Sequence, residues 1–149
     1  MRHRYSGFTL IEVLIVVVIM AVLAATIIPQ FTSSTTDAKA SARDFNTHSL
    51  RAQIELYRID HNGDYPAITA GALPQLTMAT DADGATSATP DDTHPYGPYI
   101  LQEMPKNPFN NSNTVVAGTG ADVVAGGAGW QYNATTGEIW PNDSDYWEE

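Results

Sequence analysis

The 149-residue sequence contains no cysteine, and only 7 of its residues are Lys or Arg, against 17 Asp and Glu. The absence of cysteine excludes disulfide bonds, thiolate zinc sites, iron–sulfur clusters and cysteine nucleophiles. The formal net charge of -10 argues against direct binding to nucleic acid, because attraction to phosphate needs Lys and Arg. The length suits one domain of ordinary size rather than two.

The apolar residues are concentrated near the amino terminus. Residues 8–31 read FTLIEVLIVVVIMAVLAATIIPQF, in which 19 of 24 side chains are apolar and Glu12 carries the only charge. As a helix this segment would be about 36 Å long, enough to cross a hydrocarbon core of about 30 Å. The rest of the chain has too little apolar surface to surround such a helix, so the segment is predicted to enter a membrane.

Two basic residues, Arg2 and Arg4, precede the apolar segment and predict its orientation. Because short basic flanks stay in the cytoplasm, the remainder of the chain is expected on the other side of the membrane. A cleaved secretory signal has a similar basic start, and the small residues of AVLAA fit its cleavage site. That alternative fits poorly, since Glu12 interrupts the apolar run and the run extends to Phe31.

The residues GFTLIE, which begin at Gly7, are followed by VLIVVVIMAVLAATIIP. This pattern resembles the class III signal of type IV pilins and of type II secretion pseudopilins. In that family a prepilin peptidase cuts after the glycine, which implies cleavage of the Gly7–Phe8 bond and N-methylation of the new Phe8 amine. Residues 1–7 would then be a leader peptide, and residues 8–31 would be kept as a transmembrane and assembly helix.

Glu12 is expected to have a function, because a carboxylate at membrane depth costs on the order of 2.5–3.5 kcal/mol and needs a partner. The resemblance implies that Glu12 pairs with the terminal amine of Phe8 in a neighbouring subunit during filament assembly. The alternative is a carboxylate that reaches the membrane surface close to the start of the helix.

The helix is expected to continue as an amphipathic half over residues 32–60. Pro29 removes one backbone hydrogen bond and is expected to kink or break the helix before that point. Arg51 and Glu55 are predicted to form an exposed i,i+4 pair, and His61 is predicted to be a surface residue. Three- and four-residue steps give two adjacent apolar stripes, the first expected to pack on the following domain: Ala38, Ala42, Phe45, Ser49, Ala52, Leu56 and Ile59, beside Leu50, Ile54 and Tyr57.

Residues 61–149 are expected to form a small globular head, which begins where Asn62-Gly63 and Pro66 end the helix. The fold class predicted is α+β and pilin-like, with a long N-terminal helix packed on a small antiparallel β-sheet. Met78 to Pro95 is predicted to be a polar loop. The predicted strands are Thr114–Ala117 and a hairpin of Trp130–Tyr132 and Glu138–Trp140 that turns at Ala134–Gly137.

Calcium is the one cofactor that the acidic residues suggest, because carboxylates supply hard oxygen ligands. The loops lack the full EF-hand order, and they also lack the Gly-Pro-Asp-Gly…Asp-Asp motif with which major pseudopilins usually bind calcium near the carboxy terminus. Solvated acidic loops are the alternative, and no ligands are carried over. The weak candidates are Asp81, Asp83, Asp91, Asp92, Asp143 and Asp145.

No pattern predicts catalysis, since the Gly-x-Gly at residues 118–120 has neither the strand nor the helix of a dinucleotide site. The resemblance instead implies a structural function: a subunit of a type II secretion pseudopilus, similar to major pseudopilins, in the bacterial inner membrane with its head in the periplasm. The implied partners are further copies of the chain in a helical homopolymer, prepilin peptidase, minor pseudopilins and the inner-membrane assembly platform. A type IV pilus subunit is the first alternative, and a monomeric membrane-anchored binding or enzymatic domain is the second.

Overall fold

A computed structural model of the chain describes residues 7–147. The chain divides into two compact units with a boundary between Ala38 and Lys39. One long helix comes first and short strands follow, which confirms the α+β fold class. The elements in chain order are α1 (Leu10–Asp60), α2 (Pro74–Thr77), β1 (Ala79–Thr80), β2 (Thr86–Ser87), β3 (Val115–Ala117), β4 (Trp130–Tyr132), β5 (Ile139–Pro141) and α3 (Ser144–Trp147).

The carboxy-terminal end of α1 lies where the sequence predicts it. Asn62 adopts a left-handed conformation with φ 57°, and the Gly63 N–H donates to the Arg58 carbonyl at 3.0 Å. This six-to-one bond closes a Schellman motif, in which Asn is the usual substitute for Gly at the left-handed position. Local turn chemistry therefore fixes the point at which the chain leaves the helix and enters the head.

The face of α1 that packs on the head is the second stripe, not the first. Leu50, Ile54 and Tyr57 are 1%, 0% and 3% exposed, whereas Phe45 and Ile59 are 73% and 75% exposed. The prediction for the first stripe is therefore wrong. Both stripes have helical spacing, and the second one is made of larger side chains, which remove more apolar surface from water when they are buried.

The core of the head lies between this face of α1 and a three-stranded sheet of order β3-β4-β5. Trp130 and Tyr132 of β4 and Ile139 of β5 are fully buried. Complete burial of one such side chain contributes on the order of 1.5–3 kcal/mol, so the sheet and the helix each depend on the other. The remaining members of the cluster are Leu73, Leu76, Met104 and Val115.

The sheet is mixed rather than purely antiparallel. β4 and β5 form the predicted antiparallel hairpin, and β3 lies at the predicted strand, but β3 runs parallel to β4. Parallel neighbours need a crossover connection, which residues 118–129 provide in place of a tight turn. A side chain at Gly129 would collide with the Ser112 carbonyl, so only glycine fits where this connection returns to the sheet.

The segment predicted to be a polar loop contains a second small sheet, in which β1 and β2 pair antiparallel. Asp81 holds the turn between them, since its Oδ1 accepts hydrogen bonds from the backbone N–H groups of Asp83 at 3.0 Å and Ala85 at 2.8 Å. A side chain that bonds to nearby backbone in this way stabilises a turn. The loop prediction is therefore wrong for the residues of β1 and β2.

His61 is buried, with an exposed fraction of 1%, so its prediction as a surface residue is wrong. Its ring stacks on Tyr57 with centroids 3.7 Å apart, and its Nδ1 lies 2.8 Å from the Tyr57 carbonyl oxygen. Its Nε2 lies 2.9 Å from the Thr80 hydroxyl. Because a carbonyl can only accept, Nδ1 carries the proton and, in the neutral ring, Nε2 accepts from Thr80.

The predicted Arg51–Glu55 pair does not form. Arg51 instead donates through Nε and Nη2 to the Ile139 carbonyl of β5, at 3.2 and 3.1 Å. Glu55 pairs with Arg58 at 2.8 Å on the exposed side of the helix. Arg51 thus connects α1 to the sheet through a backbone acceptor that is distant in sequence.

Candidate assembly surface and processing site

The peptide bond predicted to be cleaved lies in the short segment that precedes α1. Gly7, Phe8 and Thr9 are outside the helix and exposed, and Phe8 is 89% exposed. Exposed residues without regular hydrogen bonding are preferred sites of proteolytic cleavage. Arg2, Arg4 and the other leader residues before Gly7 lie outside the described residues.

Glu12 forms a capping box with Thr9 at the start of α1. Its Oε2 accepts from the Thr9 N–H and from the Thr9 hydroxyl, both at 2.7 Å, while the Thr9 hydroxyl oxygen accepts from the Glu12 N–H at 3.3 Å. This reciprocal arrangement satisfies N–H groups that a helix start leaves without partners. Sequence reasoning missed it, although the Thr-x-x-Glu spacing before an apolar run is the signal that identifies it.

The apolar half of α1 is an unburied surface in the isolated chain. Every large apolar side chain from Phe8 to Phe31 is exposed. By length and composition, α1 can cross a membrane. A core helix would be covered by its own chain, whereas none of residues 7–147 buries the apolar half of α1. An apolar surface of this size indicates contact with lipid or with other protein molecules.

The helix continues through Pro29, so the proline does not end α1. Polar residues nearby bond back to the helix itself: the Thr26 hydroxyl donates to the Leu23 carbonyl at 2.9 Å, and those of Ser33 and Ser34 donate to the Gln30 carbonyl at 3.0 Å. These hydroxyl groups therefore have their hydrogen-bond acceptors within α1 and need none from another element.

The acidic candidates for calcium lie in separate parts of the head. Asp91 is bound by its own turn, because its Oδ1 accepts from the Thr93 hydroxyl at 2.6 Å and lies 3.0 Å from the His94 ring nitrogen. The bonds from Thr93 and His94 hold the pKa of Asp91 well below its usual value. Asp92 beside it is exposed. Within residues 7–147, no three side chains of His, Asp or Glu are grouped so that they could hold a metal ion.

The head contains a buried polar cluster that the sequence did not predict. Arg43, 2% exposed, places its Nη1 3.5 Å from Oδ1 of Asp143, whose Oδ2 accepts from Asn107 Nδ2 at 2.7 Å. The guanidinium carbon lies 5.3 Å and 5.1 Å from the ring centroids of Phe109 and Tyr146. Residue 43 precedes the buried Leu50 by two helical turns and so lies on the same face of α1. That spacing is the one feature of the sequence that could have identified Arg43 as buried.

Residues 2–28 match the family described as "Prokaryotic N-terminal methylation motif", and residues 30–138 match "Type II secretion system (T2SS), protein G". The chain is 33% identical over 137 residues to "Type II secretion system core protein G" of Pseudomonas aeruginosa, covering 85% of this chain and 91% of that protein. Proteins of the same name from Pectobacterium carotovorum and Aeromonas hydrophila are 30% and 28% identical over 64% and 74% of this chain, and over 64% and 71% of their own length.

No solved structure matches the chain significantly. The resemblance drawn from GFTLIE is confirmed by the methylation motif, and the secretion branch is confirmed by the match over the rest of the chain. The chain therefore belongs to the protein G family of the type II secretion system, the family of the major pseudopilin.

Proposed function

We propose that this chain is a structural subunit of a type II secretion pseudopilus that polymerises through residues 8–31. Prepilin peptidase would first cut the exposed Gly7–Phe8 bond, and the new Phe8 amine would be methylated. The observation that carries the proposal is the uncovered apolar half of α1, with one carboxylate at its start, in a chain whose remainder matches protein G. The same apolar surface can contact lipid before assembly and other subunits afterwards.

The capping box is compatible with a second bond to Glu12. Within the described residues, both bonds from Thr9 fall on Oε2. A carboxylate offers about four lone-pair sites, so the remaining ones are available to an amine. In the assembled filament, that amine would be the Phe8 terminus of a neighbouring copy, which removes the cost of an unpaired charge in apolar surroundings.

The second half of α1 offers a further contact surface for a neighbouring copy. Phe45 and Ile59 are 73% and 75% exposed, and Leu56 is 46% exposed. These three side chains belong to the stripe that the head leaves uncovered. Their burial between subunits would add apolar contact outside the membrane, where water makes such contact favourable.

The proposal places the chain in the bacterial inner membrane as a single-pass protein, with its head in the periplasm. The basic leader favours this orientation. Minor pseudopilins and the inner-membrane assembly platform are the proposed partners besides further copies of the chain. Membership in a structural family supports a role without catalysis.

Mass spectrometry of the amino terminus of protein recovered from cells tests the processing step. N-methylated Phe8 is the expected first residue. An intact Met1, or a terminus near Ala24 as a secretory signal would leave, would contradict the proposal and favour a monomeric anchored domain or an exported one.

Negative-stain microscopy of cells that express the secretion system separates the two kinds of filament. Short or absent surface fibres, with loss of protein export on deletion of the gene, are expected for a pseudopilus. Long extracellular fibres at native expression, together with unaffected export, would instead identify a type IV pilus subunit.

A further inference from the structure

We propose that the guanidinium of Arg43 is the internal cation of the head, and that the carboxy-terminal segment around Asp143 folds without a divalent metal ion. The calcium that the resemblance to major pseudopilins implies would have to bind this segment, because Asp143 and Asp145 are the acidic residues nearest to the carboxy terminus among residues 7–147. Glu148 and Glu149 lie outside the described residues. Such an ion would need several oxygen atoms of this segment that are free to bind it.

The oxygen atoms of Asp143 are engaged by protein donors. The residue is 7% exposed. Oδ2 accepts from Asn107 Nδ2 at 2.7 Å, and Oδ1 accepts from the Tyr146 N–H at 3.1 Å and faces Nη1 of Arg43 at 3.5 Å. Calcium takes about six to eight oxygen ligands, and here the one buried carboxylate already has three partners.

The neighbouring side-chain oxygens are either engaged in hydrogen bonds or exposed. The Oδ1 of Asn142 accepts from the Val124 N–H at 2.8 Å and from Gln131 Nε2 at 3.0 Å, and its Nδ2 donates to the carbonyls of Val124 and Ala128. Asp145, in the short helix α3, is exposed. Within residues 7–147, the side chains of this segment therefore do not fit a calcium site.

Arg43 provides a permanent positive charge beside Asp143. It lies between the rings of Phe109 and Tyr146, at 5.3 Å and 5.1 Å, a spacing at which a guanidinium is attracted to the face of an aromatic ring. It is 2% exposed, and a buried charge of this kind needs a counter-charge. Asp143 supplies a buried one at 3.5 Å from Nη1, and the exposed Asp44 supplies a second at 3.2 Å from Nε. A second cation beside this guanidinium would be repelled by it.

The ion pair also spans a long stretch of sequence. Arg43 and Asp143 are separated by 100 positions. The pair joins α1 to the segment after β5, in the same region where a bound metal would close the carboxy-terminal loop. An arginine does this at any calcium concentration, because its charge does not depend on a ligand.

The first test compares the wild-type chain in calcium and in chelator. Mature full-length protein in detergent is melted by near-ultraviolet circular dichroism in millimolar CaCl2 and in excess EGTA. We expect melting temperatures that agree within about 1 °C, and no saturable heat when CaCl2 is titrated calorimetrically. A melting temperature raised by several degrees in calcium, or saturable binding, would overturn the proposal; about 1 kcal/mol shifts it by roughly 4–8 °C in a domain of this size.

The second test replaces the cation, with an exposed arginine of the same helix as control. Arg43→Met is expected to lower the melting temperature of the head by at least about 5 °C, whereas Arg58→Met, which removes a surface pair, shifts it by less than about 2 °C. Asp143→Asn should also be destabilising, and the double variant should be less unstable than the sum of the two single ones.

Additive single effects, or an Arg43→Met variant that melts like Arg58→Met, would show that the pair is not the internal cation site. If Arg43→Met does not fold at all, the wild-type comparison between calcium and chelator still decides whether a metal is needed. Both measurements report on the head alone and are independent of whether the chain forms a pseudopilus.

Discussion

Glu12 is the only charged residue of the apolar half of α1, and the structure gives it a partner within its own chain. Its proposed second partner, the amine of a neighbouring copy, needs the negative charge and not only a hydrogen-bond acceptor. Glu12→Gln keeps an acceptor for Thr9 and removes the charge. We therefore expect this variant to be inserted and processed normally but to form no filaments, as judged by mass spectrometry of its terminus and by microscopy.

The matched control is Thr9→Ala, which removes the capping hydroxyl and keeps the carboxylate. Loss of a cap costs typically about 1 kcal/mol of helix stability, so this variant should still assemble, with at most a modest loss of filaments. Normal filaments from Glu12→Gln would rule out the pairing of charges. Failure of both variants to assemble would show that filament formation needs the cap as well as the charge.

The ionisation of three tyrosines is expected to determine how the stability of the head changes at alkaline pH. Burial is the main cause that raises the pKa of Tyr57, Tyr99 and Tyr132, and the hydrogen bond from the Tyr99 hydroxyl to Asp60 adds to it. A raised folded-state pKa means that the unfolded chain loses its protons first, near pH 10. The free energy of unfolding should therefore stay level up to about pH 9 and fall above about pH 10. Melting temperatures between pH 8 and pH 11 test this.

Tyr132→Phe isolates one of these groups. The Tyr132 hydroxyl is buried and has no hydrogen-bond partner among the residues that the structure describes. The substitution should leave the head at least as stable at pH 8, because it removes an unsatisfied buried group. It should also make the alkaline fall shallower. A fall of unchanged steepness would assign the alkaline transition to other groups.

Sequence reasoning at this scale is strongest for residues that lie within a local motif of the family. Gly7, Phe8 and Glu12 were identified from a local pattern, and the methylation motif matches the segment that contains them. It failed for His61, which was predicted to be a surface residue, and it did not identify Arg43. Each has a partner close in the chain, but their buried partners Asp143 and Thr80 lie 100 and 19 positions away, and no local rule brings such pairs together.

At the scale of elements, α1 presents two apolar stripes, and the head covers only one. Phe45 lies on the uncovered stripe and is 73% exposed. Phe45→Ser should therefore leave the melting temperature of the head within about 2 °C of the wild type, because surface changes are usually small. If the stripe contacts a neighbouring copy, the same variant should form fewer filaments, measured as the fraction of subunit that sediments after shearing.

The control on the covered stripe is Ile54→Ala, at a fully buried position. Removal of this side chain should cost the head about 2–5 kcal/mol, so that it melts many degrees lower. A Phe45→Ser variant that assembles like the wild type would show that the exposed stripe contacts no other subunit. One that melts as low as Ile54→Ala would show that Phe45 belongs to the core.

Some elements of the fold are determined by residues that are close in the chain, and others depend on contacts between residues that are distant in sequence. The end of α1 at Asn62-Gly63 and the hairpin of β4 and β5 follow from turn residues, and both were predicted. The parallel pairing of β3 with β4 was not, because it depends on how residues 118–129 return across the sheet. Which stripe of α1 meets the head likewise depends on the surface that the finished sheet presents.

At the scale of the whole molecule, the charge is distributed very unevenly. Residues 61–149 contain twelve acidic residues and one basic residue, a charge of -11, while the net charge of the chain is -10. Removal of the leader, which carries +2, would leave a mature subunit of -12. Nearly all of this charge lies on the head, so a filament brings like-charged heads together while the apolar helices attract one another.

Filament formation should therefore be favoured by salt. Repulsion between heads acts over a screening length of about 30 Å at 0.01 M salt and about 8 Å at 0.15 M. Contacts between apolar helices are screened far less. We expect the sedimentable fraction of purified mature subunit to rise as NaCl is increased from 10 to 300 mM after detergent is diluted.

A pair of variants on exposed acids shows whether the head charge is the cause. Asp83 and Asp92 are both exposed, and the double change to Asn removes two negative charges from each head. It should shift the salt midpoint of assembly to lower concentration, whereas the charge-conserving change of both residues to Glu should not. Filaments that dissolve as salt rises would mean that ion pairs between neighbouring heads outweigh their net repulsion. In that case the acidic head would be part of the assembly interface, because attraction between oppositely charged groups is what salt weakens.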